Sequence, residues 1–270
     1  MSGVLDRTLA VLEMLADAGQ GVALARVASD LNMPKSAAHR LLTDLVRKGY
    51  VRQLGEQGEY ILTTKLVSLG LGFLGKTGVV ELAQPLLDQL AQASGELVRL
   101  AVVDGDNLTW VAKSQGARQG LRYDPDMGGV ARLSCSSSGW AWLMAMSEDQ
   151  ALALLARQGV GLAKDYGPQA PADLQAVLGE IRASRQRGYA MTQETYTPGL
   201  NAMAVPVQRV GQSPVGTLSI AGPAARLTPT RMAELVDPLQ HCAQQLAAAS
   251  GALPFLGRQR STGWRPLYGE

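Results

Sequence analysis

Between Leu5 and Leu62 the apolar residues change their spacing in an order that few small folds can satisfy. Leu5, Leu9, Leu12 and Leu15 recur at helical spacing, with Ala10 and Val11 beside them, until Gly19 and Gly21 stop the pattern. A second helix fits Leu24 to Leu31, where Leu24, Val27, Ala28 and Leu31 share a face. Asn32-Met33-Pro34 reads as a turn, because Asn tolerates unusual backbone angles and Pro34 cannot extend the preceding helix. The pattern predicts a third helix from about Ser36 to Lys48, with Leu41, Leu42, Leu45 and Val46 facing inward and Gly49 ending it. The period then falls to two. Tyr50 to Gln53 and Tyr60 to Leu62 read as strands around the turn Gly55 to Gly58, giving a two-stranded wing on a three-helix unit.

Charge gives the third helix a meaning that the whole chain does not. The 270 residues sum to only +2, so no global attraction to nucleic acid exists. Locally, Lys35, Arg40, Arg47, Lys48 and Arg52 face the single acid Asp44, with His39 among them. A helix that enters the major groove presents its N-terminal end to base edges. The expected DNA contacts are therefore Lys35, Ser36, Ala37, His39, Arg40, Arg47 and Arg52. Ser36 and Ala37 are small enough for close approach, and Arg to guanine is the commonest specific contact. The wing tip carries Glu56 and Glu59 and so reads as a poor minor-groove reader. A helical subdomain that binds another protein would show a similar pattern.

Behind this unit the composition is that of a folded α+β domain. Residues 66 to 94 read as a jointed helical connector, weakened by Gly70, Gly72, Gly75 and Gly78, with Pro85 kinking it or opening a new helix. Two hairpins follow, Leu97–Val103 with Leu108–Lys113, and Ala202–Gln208 with Val215–Ala221. Ser147 to Gln150 matches a capping box before a helix to Gln158. Pro171 opens a helix ending at Gly188, and Thr228-Pro229 starts a final helix reaching about Ala249. The expected layout is a DNA-binding unit at 1–65, a linker at 66–80, a second domain at 81–252 and a flexible tail at 253–270. Two cysteines and two histidines give no zinc spacing and no disulfide framework, so neither metal nor cofactor is expected, and the cytoplasm is the expected compartment. No run of about 18 apolar residues exists, so no membrane partner is expected.

These blocks, in their order, resemble the IclR family of bacterial transcriptional regulators. Leu5-Asp6-Arg7-Thr8-Leu9-Ala10-Val11-Leu12 is similar to that family's opening helix, and Met33 to Leu42 (MPKSAAHRLL) to its recognition helix. Gly49-Tyr50-Val51, Leu97 to Asp106, Gly188-Tyr189-Ala190, Gly199 to Val207 and Ser219 to Pro223 match further blocks. The resemblance implies a winged helix-turn-helix joined by a helical linker to a GAF-like effector-binding domain. It also implies a homodimer or homotetramer on a double-stranded DNA operator, with repression the favoured outcome. The small effector is often an organic acid or an aromatic catabolite.

The resemblance places the effector between the junction Leu133 to Gly139 and the central sheet. Ser137 and Ser138 fall where relatives offer backbone amides to an acid. Thr192, Ala202, Ser219 and Ala221 fall where small-acid sensors carry Asp, Cys and two Ser, and Asn201 lies beside them. Three of those four positions are less polar here, so a larger or more apolar acid, aromatic ones included, is expected, with Trp110, Met127, Trp140 and Met203 as candidate walls. The cluster Ser134 to Ser138 with Cys135 also invites an enzyme reading. No histidine or Ser-x-x-Lys pattern adjoins it to activate a nucleophile, so catalysis is not expected.

Overall fold

A computed structural model describes residues 3–55, 58–125, 127–161 and 163–250. The tail at 253–270 and the wing-tip residue Glu56 fall outside them. The chain divides into two compact units, with the division between Lys76 and Thr77.

The first unit is built as its spacing predicts. Helices α1 (Val4–Ala18), α2 (Leu24–Asp30) and α3 (Lys35–Arg47) precede strands β1 (Val51–Gln53) and β2 (Tyr60–Leu62). Asn32 takes φ 45°, the left-handed conformation that lets the chain turn sharply between α2 and α3. Val11, Leu15, Val27, Leu42, Leu45, Val51 and Tyr60 close one core. Val22 exchanges both backbone hydrogen bonds with Tyr60 at 3.0 and 2.9 Å, fastening the segment after α1 to the wing. Val46 does not face inward. It is exposed, because α3 buries the stripe of Ala38, Leu42 and Leu45, about a quarter-turn away.

Helix α4 (Lys65–Thr77) follows, and α5 (Val79–Ser94) opens the second unit. The joint is Gly78, at φ 66°, and Pro85 lies inside α5. Pro85 removes one helical hydrogen bond, yet Ala83, Leu87, Leu90 and Ala91 bury the helix on the sheet, and packing outweighs that loss.

The second unit is an antiparallel sheet in the order β4-β3-β7-β6-β5, with helices on both faces. Its strands are β3 (Leu97–Asp104), β4 (Asn107–Gln115), β5 (Ala190–Gln193), β6 (Leu200–Val207) and β7 (Gly216–Pro223). Alternation sorts the side chains. Val98, Leu100, Val102, Met203, Val205, Leu218 and Ile220 pack with α5 and with α10 (Val236–Ser250). Ala101, Val103, Trp110 and Ala204 pack with α6 (Ser137–Leu143), α7 (Glu148–Gln158) and α8 (Leu174–Arg187). Ser147 and Gln150 form the expected capping box of α7. Two helix starts differ from expectation. Asp173, not Pro171, caps α8, its carboxylate accepting from the Ala176 amide at 2.8 Å. Thr228-Pro229 begins α9 (Pro229–Glu234), and the final helix is a separate α10. Pro238 explains that break, since it has no N–H to donate to Glu234 and suits only a first turn.

Candidate nucleic-acid interface and effector cavity

The exposed face of α3 is what the head offers to a partner. Lys35, Ser36, His39, Arg40 and Arg47 are exposed, and Ala37 is half-buried beside them. Thr43 shares this face one turn beyond Arg40 and is absent from the sequence expectation. No side chain caps the start of α3, so its first amides are available to a phosphate oxygen. Arg47 is partly neutralised by Asp44, at 2.7 Å, in an exposed pair that a phosphate can replace. Arg52 is exposed on β1. The base of the wing is fixed where Lys65 Nζ donates to the Lys48 carbonyl at 2.6 Å and lies 4.5 Å from the Tyr50 ring centroid.

The second unit contains a cavity between α6 and the sheet. The cavity itself measures about 30 Å³, and its mouth opens to solvent. Ser137 and Ser138 line it from α6, and Thr192, Asn201, Ala202 and Ala221 from the sheet. Ser219 lies on the same sheet face but not on the wall, and its hydroxyl donates to the Arg99 carbonyl at 3.3 Å. Asn201 is on the wall with its amide engaged. Nδ2 donates to Leu227 O at 2.9 Å, and Oδ1 accepts from Glu194 N at 3.2 Å. That side chain ties strand to loop instead of offering a free donor. Of the candidate apolar walls, only Trp110 lines the cavity. Met203 points to the opposite face of the sheet, and the Trp140 indole is anchored to Ser134 O at 3.1 Å.

The wall also carries residues that the sequence reading passed over, chiefly Arg99, Tyr123 and Tyr196. Arg99 stands on the inner strand β3, and its alternation, one cation among Leu97, Ala101 and Val103, is the signal that could have found it. Burial pulls its pKa below the ordinary guanidinium value, with Tyr123 and Tyr196 acting in the opposite direction. Burial raises the Tyr196 phenol, so its hydroxyl remains a donor. Tyr123 belongs to the loop between β4 and α6, which several contacts hold down. Gln115 Nε2 donates to Tyr123 O at 2.8 Å, Lys113 Nζ reaches Asp124 at 2.7 Å, and Arg226 donates to Leu121 O at 2.8 Å. Arg226 also grips buried Glu96 with two bonds of 2.7 and 2.9 Å. A Cβ at Gly222 would meet that carboxylate, so a larger residue there would have to displace Glu96 from its pair with Arg226.

Helix α6 has only seven residues, so its dipole is a weak anion site, despite the serines at its start. The Ser136 hydroxyl is already committed, accepting from Gly139 N at 3.0 Å and donating to Arg132 O at 2.6 Å. Burial pushes the Cys135 thiol up to about 11, which leaves it protonated and unreactive at neutral pH.

A helix-turn-helix head joined to a separate sheet domain with a polar-lined cavity has the organisation of a ligand-responsive transcription factor. The chain belongs to the IclR family of bacterial transcriptional regulators: its residues 4–55 match the IclR helix-turn-helix domain and residues 72–248 the IclR C-terminal domain. It is 32% identical over 248 residues to the acetate operon repressor of Salmonella typhimurium, covering 92% of this chain and 89% of that protein. It is 30% identical to the transcriptional repressor IclR of Escherichia coli, covering 92% and 90%. A solved IclR homologue from Microbacterium hydrocarbonoxydans, complexed with 4-hydroxybenzoate, has the same fold, with TM-score 0.76, 20% identity, and 93% and 100% of the two chains covered. The chain is thus a DNA-binding transcriptional regulator with an effector-binding C-terminal domain.

Proposed function

We propose that this regulator is a cytoplasmic repressor that binds a two-fold operator as a dimer or a dimer of dimers, and that a small organic acid in the cavity controls its grip on DNA. The observation that carries the DNA half is the uncapped, exposed start of α3, with Lys35, Ser36, His39 and Arg40 on one face. Curated relatives named as repressors support the sign. Among the described residues, no single helix is long and apolar enough to cross a membrane. An aromatic acid held by a relative of the same fold supports the size of the ligand expected from Ala202 and Ala221. Nothing in the comparisons favours the protein-interaction or enzymatic readings, and the protonated Cys135 thiol speaks against the latter.

Titration of DNA from upstream of its own coding sequence, against unrelated DNA at low and physiological salt, tests this reading. A sequence preference that survives physiological salt is expected; equal affinity for both DNAs at both salts sinks it. Arg40→Ala should cost about 1–3 kcal/mol on the operator and much less on unrelated DNA. Equal losses would reduce Arg40 to a phosphate contact.

A further inference from the structure

We propose that Arg99 is the anion receptor of the cavity and that it restricts the ligand to a monocarboxylate. This rests on the reading that the cavity holds the effector. Arg99 is 6% exposed and, among the described residues, pairs with no carboxylate. The nearest acid along its strand, Glu96, is occupied by Arg226 through both oxygens. A buried cation without a counterion is costly, and a fold retains one where something else supplies the charge.

The hydrogen-bond ledger points the same way. Among the described residues, three buried side-chain polar atoms have no partner: Arg99 Nε, Trp110 Nε1 and Thr217 Oγ1. The first two are donors only, and both residues line this cavity. No Asp or Glu lines it, and its other polar groups are hydroxyls and the engaged Asn201 amide. A wall with one positive charge, idle donors and no acid matches an acceptor with one negative charge. A neutral ligand leaves the cation uncompensated, and a dianion buries a second charge with no partner.

The place of the carboxylate follows from what flanks the guanidinium. Its carbon lies 4.0 Å from the Trp110 ring centroid and 5.7 Å from that of Tyr123, so an aromatic ring takes up its face. The edge is left for a carboxylate, the geometry in which arginine forms two parallel bonds. Leu200, Ala202 and Ala221 add apolar surface to the same wall, and Tyr196 an amphipathic one.

The test uses the full chain and a panel of benzoate, 4-hydroxybenzoate and phenylacetate. Each is paired with its neutral amide, with phthalate as the dianion and pyruvate as a small oxoacid. Thermal shift and calorimetry read binding, and operator release reads the response. At least one monocarboxylate should raise Tm, and the amides and phthalate should not. Arg99→Met should bind that carboxylate about tenfold to a hundredfold more weakly. Arg99→Lys should recover part of the loss, as a point charge without the fork. Unliganded Arg99→Met should melt no lower than the parent, since it removes an unpaired buried charge. Equal binding of acid and amide, or an Arg99→Met chain that binds carboxylate normally, overturns the proposal. A loss of unliganded stability without loss of carboxylate binding does so too, by making Arg99 structural. If a carboxylate binds through Arg99 and operator DNA is not released, the receptor stands and the effector reading falls. If pyruvate releases DNA from the parent and Arg99→Met alike, the effector reading stands and the receptor falls.

Discussion

The two faces of the five-stranded sheet are made from the same strands and do opposite things. Along β3, Val98, Leu100 and Val102 enter a layer closed by α5 and α10, where every strand contributes aliphatic side chains. One residue out of phase, Leu97, Arg99, Ala101 and Val103 face the layer of α6, where packing stops short and a cavity remains. A period of two lets one strand serve a dry core and a ligand site without compromise between them. The packed face supplies the rigidity that holds the cavity residues in place, and the cavity face sacrifices contacts to leave room.

This contrast can be broken by substitution. The largest effect is expected for Leu218→Ala on the packed face, where Leu218 is fully buried. It should cost about 2–5 kcal/mol in urea denaturation and leave carboxylate affinity unchanged. A comparable loss of affinity would show that the faces are not independent. Next comes Arg226→Met, which strands the Glu96 carboxylate, buried at 5% exposure. Breaking a fully buried pair costs about 3–5 kcal/mol, and the water-facing side of Arg226 reduces the expectation to about 2–3 kcal/mol. It also frees the Leu121 carbonyl, so carboxylate binding should weaken along with stability. A variant that melts lower but binds normally would detach the loop between β4 and α6 from recognition.

Smaller still is Ala221→Leu on the cavity wall. Crowding this wall should cost about 1–3 kcal/mol and abolish the carboxylate-induced Tm shift. Retained binding would place the ligand elsewhere. A last effect, confined to alkaline pH and absent at neutrality, concerns the thiols, one on each side. Burial raises Cys135 and Cys242 from 9.0 to about 11. Between these values the unfolded chain has lost protons that the folded chain keeps, so stability should fall as pH rises from 9.0 towards 11. Cys135→Ala and Cys242→Ala should each flatten that slope. A slope unchanged in the double variant would assign it to other groups.

Legibility in the sequence followed how local each cause is. The head, and the Ser147–Gln150 box of the second unit, could be read because such signals lie within a few residues of what they determine, as do the stripe of α3 and the turn at Asn32. Strand β5 passed unnoticed because Ala190–Gln193 is four residues long and alternates too briefly to register. Pro85 lies inside α5 and not at its start, because its cost is local and its compensation, burial against the sheet, is not. In the cavity, Ser137, Ser138, Thr192, Ala202 and Ala221 lie together on the wall, as the blocks of resemblance led one to expect. Arg99, Tyr123 and Tyr196 come from a strand, a loop and a turn far apart in the chain, and only folding brings them to one wall. The positions that lost polarity were visible; the residue that supplies charge in their place was not.

Trp110 gives this cavity an optical property. Of the indoles in the second unit, Trp140 is held by a backbone carbonyl, whereas Trp110 has a cation 4.0 Å from its ring centroid and an N–H without a partner. A stacked guanidinium perturbs indole emission, and an anion drawn to that guanidinium changes the perturbation. The regulator thus carries its own dye at the point of recognition, and occupancy can be followed as a change in intrinsic fluorescence with no label attached.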